Sequence, residues 1–270
     1  MSDLRVSLVQ GATRWHDPEA NRGYYGQLMA PLAGRSDLVV LPETFTSGFS
    51  NEAIKQAEDM HGPTLAWLRG QARTLDAAIT GSVQLRAEGD DSHRVYNRLL
   101  FVTPDGQVRH YDKRHLFRYA NEHQRYAAGS ARLLVEWRGW RILPLVCYDL
   151  RFPVWVRNRR LEAADGGMDY DLVLFVANWP RPRREAWRTL LRARAIENLS
   201  YCVGVNRVGV DGNGHPYAGD SAALDPLGAR LVDLGPQEQV VTVRLEREAL
   251  LAHRREFPAW MDADAFELGE

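Results

Sequence analysis

The chain contains the stretch Ile142-Leu143-Pro144-Leu145-Val146-Cys147-Tyr148-Asp149-Leu150-Arg151-Phe152-Pro153, in which an apolar run passes directly into a polar turn. The run at 142–146 is typical of a buried strand. Pro153 suits the first turn of a helix, so the stretch predicts a strand-to-helix corner. A cysteine at such a corner points out of the sheet beside the next N–H groups, which is the geometry of a nucleophile with an oxyanion hole. The alternative for Cys147 is a small buried apolar residue.

Strands and helices alternate on both sides of this corner. Upstream, the patterns predict strands at 5–10, 38–41, 78–85, 95–102 and 108–113, and helices at 18–32 and 63–75. Downstream, they predict strands at 133–137, 141–147, 172–177, 201–206, 218–224, 229–233 and 240–245, and helices at 152–161 and 185–198. Two similar series with no Pro-, Gly- or Ser-rich linker between them predict one α/β domain over residues 1–270. We expect a pseudo-symmetric sandwich of two sheets with helices outside.

Composition and charge exclude several classes of protein. The chain has 270 residues, 45% of them apolar, and a formal net charge of −1 with both signs interspersed, so it has no electrostatic footprint for nucleic acid. No stretch reaches membrane-spanning length, and the N-terminus enters a strand without an apolar leader. Two cysteines, Cys147 and Cys202, do not make a disulfide framework. We therefore expect a cytoplasmic protein with reduced thiols.

Two further reactive residues come at the ends of predicted strands. Glu43 follows the strand at 38–41, and Lys113 ends the strand at 108–113; Lys113 is one of only two lysines among 34 basic residues. Open α/β folds place their sites at this edge of the sheet. A carboxylate there suits a general base, and a buried ammonium stabilises a developing oxyanion, an effect of roughly a hundredfold or more in rate. The alternatives are a surface or capping acid for Glu43, and for Lys113 a strand-end salt bridge with Asp112 or a neighbouring carboxylate.

Three segments together resemble the nitrilase superfamily of carbon–nitrogen hydrolases. They are Pro42-Glu43-Thr44, Lys113-Arg114-His115-Leu116-Phe117 and Cys147-Tyr148-Asp149-Leu150-Arg151-Phe152-Pro153, in the order of the family. The resemblance extends from Val6 to about Pro258. It implies a four-layer αββα sandwich of two mixed β-sheets flanked by helices, which agrees with the alternation of elements.

The resemblance implies a role for each of these positions. Glu43 would take the proton from Cys147 and later deliver it to the departing ammonia, while Cys147 would attack the amide carbon and form a thioester. Lys113 and the backbone N–H of Tyr148 would hold the oxyanion. The family has a second glutamate that orients the lysine and the substrate, and Glu122 stands where that motif would place it. An exposed loop acid is the alternative for Glu122.

Closer matches narrow the branch of the family. Members that hydrolyse nitriles tend to follow the cysteine with Trp-Glu, whereas this chain has Tyr148-Asp149, which favours an amidase. The stretches at 43–50 and 176–180 resemble bacterial ω-amidases of the 2-oxoglutaramate type, which hydrolyse the terminal amide of 2-oxoglutaramate and 2-oxosuccinamate. The resemblance implies a small-molecule amide substrate and no cofactor. Another small-amide or N-carbamoyl hydrolase is an alternative, as is a catalytically idle family member that acts as an interaction subunit.

Several side chains near these motifs are candidates for substrate binding, although each aromatic residue is alternatively part of the core. They are Phe45, Phe49, Phe117, Asn178 and Trp179. A keto acid carries a carboxylate, which needs a cation or N–H donors. Arginines at 181, 183 and 184 follow Trp179, but a solvated helix start explains them equally well.

The sequence also bears on metal binding and on oligomeric state. His110, His115 and His123 raise the possibility of a metal site or a Cys–His dyad, but their spacing fits no compact zinc pattern, so we predict no metal. Family members commonly pair, so we expect a homodimer or higher homo-oligomer. The C-terminal tail, from about 257 to 270, contains apolar residues that could pack at a dimer interface.

Overall fold

The computed structural model describes residues 2–89, 93–159 and 167–267. The first half contains β1 (Leu4–Gln10), α1 (Pro18–Met29), β2 (Leu38–Val40), α2 (Pro63–Leu75), β3 (Ala78–Arg86), β4 (Val95–Val102) and β5 (Val108–Asp112). The second half contains β6 (Val135–Trp137), β7 (Trp140–Val146), α3 (Pro153–Val156), β8 (Leu172–Ala177), α4 (Arg184–Glu197), β9 (Tyr201–Asn206), β10 (Val208–Val210), β11 (Pro216–Ala218), β12 (Ala222–Leu224), β13 (Arg230–Asp233), β14 (Gln239–Leu245) and α5 (Arg247–Glu256). None of the helices in these ranges is long and apolar enough to span a membrane.

The strands form two six-stranded sheets and a separate two-stranded ribbon, β10–β11. Sheet one has the order β14-β1-β2-β3-β4-β5, and sheet two has the order β13-β12-β9-β8-β7-β6. Three neighbouring strands are parallel in each sheet, β1–β2–β3 in one and β7–β8–β9 in the other. The outer strands pair antiparallel with them. Both sheets are therefore mixed, as predicted.

Side chains on the central strands pack on both faces of their sheet. In β2, Leu38 and Val40 belong to a core that contains residues of both sheets. Val39 belongs to a second core, formed with Tyr25 of α1 and Leu68 of α2. On sheet two, the first core extends to the apolar face of α4. Strands buried on both faces are apolar at every position, which is why β2 and β8 were visible in the sequence as continuous runs. The predicted αββα sandwich is confirmed.

Three predicted boundaries are wrong for local reasons. The helix predicted at 152–161 ends at Val156 because Arg157 has an extended conformation, with ψ of 124°; the last two positions of that prediction lie outside the described residues. The strand predicted at 218–224 is split into β11 and β12 because Gly219 and Asp220 have positive φ, 63° and 53°. The helix predicted at 18–32 changes to a 3₁₀ turn after Met29, at 30–32. The other boundaries move by one or two residues.

Candidate active site

The ends of four strands bring predicted site residues to a single pocket. Glu43 lies just beyond β2, while Lys113, Cys147 and Asn178 are the first residues after β5, β7 and β8. Two of these strands belong to each sheet, so the pocket lies where the two sheets face each other. It has a volume of about 480 Å³, and all four residues line it.

A buried cluster of charges forms the base of the pocket. Lys113 Nζ lies 2.9 Å from Glu43 Oε1 and 3.0 Å from each oxygen of Glu122. Asn97 Nδ2 donates to Glu43 Oε1 at 2.8 Å. Exposed fractions of 0% for Glu43 and Glu122 and 1% for Lys113 show that these groups are buried from bulk solvent. Because buried charges need partners, the ammonium and the two carboxylates hold one another in place. Glu122 is thus not an exposed loop acid.

Asn178 fixes Glu43 across the boundary between the sheets. Its backbone N–H donates to Glu43 Oε2 at 2.8 Å, and its Nδ2 donates to the Glu43 carbonyl oxygen at 2.7 Å. The same Nδ2 is 2.9 Å from Thr44 Oγ1. The Asn178 amide nitrogen is therefore committed to the Glu43 segment, although the residue also lines the pocket.

Cys147 sits at the predicted corner in a strained conformation. Its φ is +44°, a value that residues other than glycine rarely adopt. The residue is only partly buried, and its Sγ lies 3.9 Å from the carbonyl oxygen of Asn178. A 3₁₀ turn begins at Cys147 and ends at Arg151. Because the first N–H groups of a helical turn have no partner within it, the N–H of Tyr148 is available beside the sulfur.

The pKa values of this cluster are shifted by burial and by charge. Burial alone would lower the pKa of Lys113, but the charges of Glu122 and Glu43 outweigh burial and raise it above the ordinary value. Burial raises the pKa of Glu122, against the opposing charge of Lys113. Burial and then the charge of Glu43 raise the pKa of the Cys147 thiol well above its usual range, again against Lys113. At neutral pH the ammonium is therefore charged and the thiol is protonated.

Aromatic side chains form one wall of the pocket. Phe49, Phe117 and Trp179 line it. The ring of Phe49 lies 5.4 Å from Lys113 Nζ and 6.5 Å from the ring of Phe117. Phe45 does not line the pocket, so of its two alternatives the structure favours a place in the core. Its side chain points away from the cleft into the core beneath α1 and α2, where it is fully buried.

Two arginines also line the pocket. The guanidinium of Arg151 lies 4.9 Å from the ring centre of Trp179, and that of Arg183 lies 5.4 Å from each of two aromatic rings. Within the described ranges, no carboxylate pairs with either guanidinium. Arg184, by contrast, is bound to Asp220 at 2.8 Å. The pocket therefore has positive charge available for an anionic group.

Sequence reasoning missed a second set of residues around the pocket. The hairpin of β10 and β11 contributes Asp211, Asn213, His215 and Tyr217 to its wall. Asp211 organises the tip of this hairpin, because its carboxylate accepts the Tyr217 hydroxyl and the N–H groups of Asn213 and His215, each at 2.9 Å. Asn97 was also missed, although an amide inside the apolar strand at 95–102 was an available signal. Nothing in the sequence placed the hairpin beside the cysteine.

The histidines considered as metal ligands do not line the pocket. His115 Nδ1 lies 2.8 Å from an oxygen of Asp149, and neither His110 nor His123 reaches the pocket wall. In the parts of the chain that the structure describes, no group of three or more His, Cys, Asp or Glu side chains is arranged to hold a metal ion.

The chain is similar to proteins of one hydrolase family over nearly all of its length. Residues 5–255 match the model of the carbon-nitrogen hydrolase family. The chain is 48% identical to "Omega-amidase YafV" of Escherichia coli (strain K12) over 271 residues, 99% of this chain and 100% of the relative. It is 33% identical to "2-oxoglutaramate amidase" of Bacillus subtilis (strain 168) over 261 residues, 95% of this chain and 96% of the relative.

A solved structure agrees with this match. It is that of a CN-hydrolase superfamily protein from Xanthomonas campestris with an arsenic adduct in the active site. The two chains are 66% identical and fully covered, with a TM-score of 0.97. This chain belongs to the carbon–nitrogen hydrolase family.

Proposed function

We propose that this protein is a cysteine-dependent amidase of the ω-amidase type, which hydrolyses the terminal amide of a short α-keto acid to the acid and ammonia. The proposal depends on one observation: Cys147, Lys113 and Glu43 line the same pocket, and Lys113 contacts both Glu43 and the buried Glu122. The similarity to an omega-amidase of E. coli and a 2-oxoglutaramate amidase of B. subtilis supports the substrate class.

The first half of the reaction forms a thioester and releases ammonia. Because the raised pKa keeps the Cys147 thiol protonated, a base is needed, and Glu43 takes the proton as the sulfur attacks the amide carbon. The carbonyl oxygen becomes an oxyanion held by the Lys113 ammonium and the N–H of Tyr148. Glu43 then donates its proton to the amide nitrogen, the C–N bond breaks, and ammonia departs.

Water completes the reaction. Glu43 takes a proton from a water molecule, whose oxygen adds to the thioester carbon, and the same two donors hold the second oxyanion. The C–S bond then breaks to give the carboxylic acid, and the sulfur recovers its proton from Glu43. Glu122 contacts the Lys113 ammonium with both oxygens, so we assign it the role of orienting the lysine.

The charged side chains in the pocket wall support the proposal that the substrate is an anion. Arg151 and Arg183 present guanidinium groups that no carboxylate engages in the described portion of the chain, and a keto acid supplies a carboxylate for bidentate pairing. The volume of about 480 Å³ is in the range of small-molecule sites. An N-carbamoyl amino acid also carries a carboxylate, so it is the strongest competing substrate.

An ammonia-release screen tests this proposal. The wild-type protein would be compared on 2-oxoglutaramate, glutamine, an N-carbamoyl amino acid, a neutral short amide and a simple nitrile. We expect the highest kcat/KM on 2-oxoglutaramate and no release by Cys147→Ala. A clear preference for the N-carbamoyl compound or the nitrile would replace the proposed substrate. Absence of release from every compound would favour the idle interaction subunit.

Three broader proposals accompany this function. The core shared by both sheets supports a single domain over residues 1–270. Cys147 and Cys202 are both free, which fits a reducing compartment such as the cytoplasm. Phe257 and Met261 expose 59% and 55% of their surface, which supports pairing of two copies through the C-terminal segment.

A further inference from the structure

One buried carboxylate contacts the segments on both sides of the reaction centre. Asp149 lies two residues after Cys147 and has an exposed fraction of 0%. Its Oδ2 accepts the hydroxyl of Tyr111 at 2.9 Å and the N–H of Val146 at 3.0 Å. Its Oδ1 accepts the backbone N–H of His115 at 3.1 Å and contacts Nδ1 of the same residue at 2.8 Å. Four donors thus converge on one side chain.

These donors come from the two segments that carry Lys113 and Cys147. Tyr111 and His115 lie two residues before and two residues after Lys113, in the segment that leaves sheet one. Val146 directly precedes Cys147, at the end of the strand in sheet two. Asp149 therefore joins the lysine segment to the cysteine turn, although its own side chain is not part of the pocket wall.

We propose that Asp149 is a positioning residue that sets the placement of the Lys113 ammonium relative to the Cys147 sulfur. The inference rests on the proposed mechanism, in which one oxyanion donor comes from each sheet. Lys113 supplies the donor from sheet one, and the N–H of Tyr148 supplies the donor from sheet two. Displacing one donor by even 1 Å weakens both binding of the oxyanion and attack by the sulfur.

The surroundings of Asp149 make this link rigid. The Tyr111 hydroxyl also accepts the N–H of Arg114 at 3.2 Å and Nε1 of Trp155 at 3.1 Å. The His115 ring stacks on Phe152, with ring centres 3.7 Å apart and an angle of 6°. Burial and then the charge of Asp149 raise the pKa of Tyr111 well above its usual range, so the hydroxyl remains a donor. The lysine segment is therefore held by fixed donors.

The substitution Asp149→Asn tests the link because an amide cannot reproduce it. Val146 and His115 offer backbone N–H groups to different oxygens of Asp149, and neither N–H can turn into an acceptor. Whichever way the asparagine is oriented, its NH₂ group faces one of these donors. One buried N–H then loses its partner, and the two segments must move apart.

A matched control separates positioning from general stability. Asp171 is equally buried and accepts Arg247 and Arg254 at 2.9 Å each, away from the pocket. We would compare Asp149→Asn and Asp171→Asn in kcat and KM for 2-oxoglutaramate, in Tm, and in the rate at which iodoacetamide alkylates Cys147. We expect Asp149→Asn to lower kcat at least tenfold and alkylation at least threefold, with KM changed less than threefold. Asp171→Asn should lower Tm and leave kcat and alkylation unchanged.

Two results would overturn the proposal: wild-type kcat and alkylation in folded Asp149→Asn, or equal losses in both variants. If Asp149→Asn does not fold, the variant His115→Phe tests the proposal in its place. Phenylalanine keeps the stacking on Phe152 and removes only the contact of Nδ1 with Asp149. A loss of kcat of threefold or more supports the proposal, and a wild-type kcat contradicts it. If the wild-type protein hydrolyses none of the amides, the proposed function fails, whereas the alkylation rates still test the role of Asp149.

Discussion

The chain has two lysines, and its other Lys and Arg positions are arginine. Of the two lysines, Lys113 is the buried one. Arginine is planar, permanently charged and larger, so it does not fit between two carboxylates that each lie about 3 Å from a single ammonium. The bias toward arginine in the sequence made this lysine conspicuous. Its partners, Glu43 and Glu122, explain why a compact cation stands at this position.

The first prediction concerns the shape of this cation. We expect Lys113→Arg to lower kcat by about a hundredfold or more, because the charge remains but the oxyanion donor is displaced. Lys55→Arg is the matched control, since Lys55 exposes 76% of its side chain and forms an ion pair with Glu52. Ammonia release would be measured for both variants with Tm as a check on folding. Near-normal kcat in Lys113→Arg would assign Lys113 a structural salt bridge.

The second prediction follows from the raised pKa of the Cys147 thiol. The attacking species is the thiolate, so alkylation of Cys147 should reach half of its maximal rate only well above pH 8.5, which is about the midpoint for an ordinary thiol. Because the charge of Glu43 contributes to the raised pKa, Glu43→Gln should alkylate faster than wild type at pH 8 although it releases no ammonia. Labelling would be followed by mass spectrometry, with Cys147→Ala to show that buried Cys202 does not react. A wild-type rate that levels off below pH 8 would contradict this assignment.

Among the elements, helices and turns use glycine in two different ways. Gly70 lies in α2 with helical φ, and Gly139 lies in the turn between β6 and β7 with a φ of 80°. A Cβ at either position would meet no atom within 4 Å. The two sites therefore differ in backbone conformation and not in available space.

The third prediction uses this matched pair. Gly70→Ala should raise the free energy of unfolding by about 0.5–1 kcal/mol, because alanine loses less backbone entropy on folding than glycine. Gly139→Ala should lower it by about 1 kcal/mol, because a Cβ disfavours positive φ. Urea denaturation would measure both changes, and kcat should stay unchanged. Changes of the same sign would show that φ does not decide the outcome.

The elements that the sequence predicted best are those buried on both faces or marked by proline and glycine. The strands at 95–102, 172–177 and 201–206 and the helix at 63–75 have the predicted boundaries. The helix at 152–161 was predicted too long because nothing local indicated that Arg157 would become extended. The periodicity of apolar residues shows which face of an element is buried. The residue at which the element ends depends on tertiary contacts that this pattern does not show.

At the level of the whole molecule, the fourth prediction concerns assembly. If two copies pair through the C-terminal segment, Phe257→Asp together with Met261→Asp should yield a monomer, because the charges would have to be buried at the interface. Leu227→Asp is the control, since Leu227 is 66% exposed elsewhere on the surface. Light scattering coupled to size exclusion would give the masses. A wild-type monomer, or a dimer that survives the double substitution, would contradict this interface.

The sequence by itself determined the order of elements, the two-series architecture and the positions of Glu43, Lys113 and Cys147 at strand ends. These features are local, because periodicity and residue type report which faces are buried and where a strand stops. Only the tertiary structure decided that Glu122 and Asn97 are buried with the lysine. It also decided that Arg151 and Arg183 face the pocket whereas Arg184 does not. The placement of Phe45 in the core likewise depends on the tertiary structure. Lys113 and Asn178 contact Glu43 across 70 and 135 positions of sequence. Contacts at such separations depend on how the two sheets pack, and no local pattern encodes that packing.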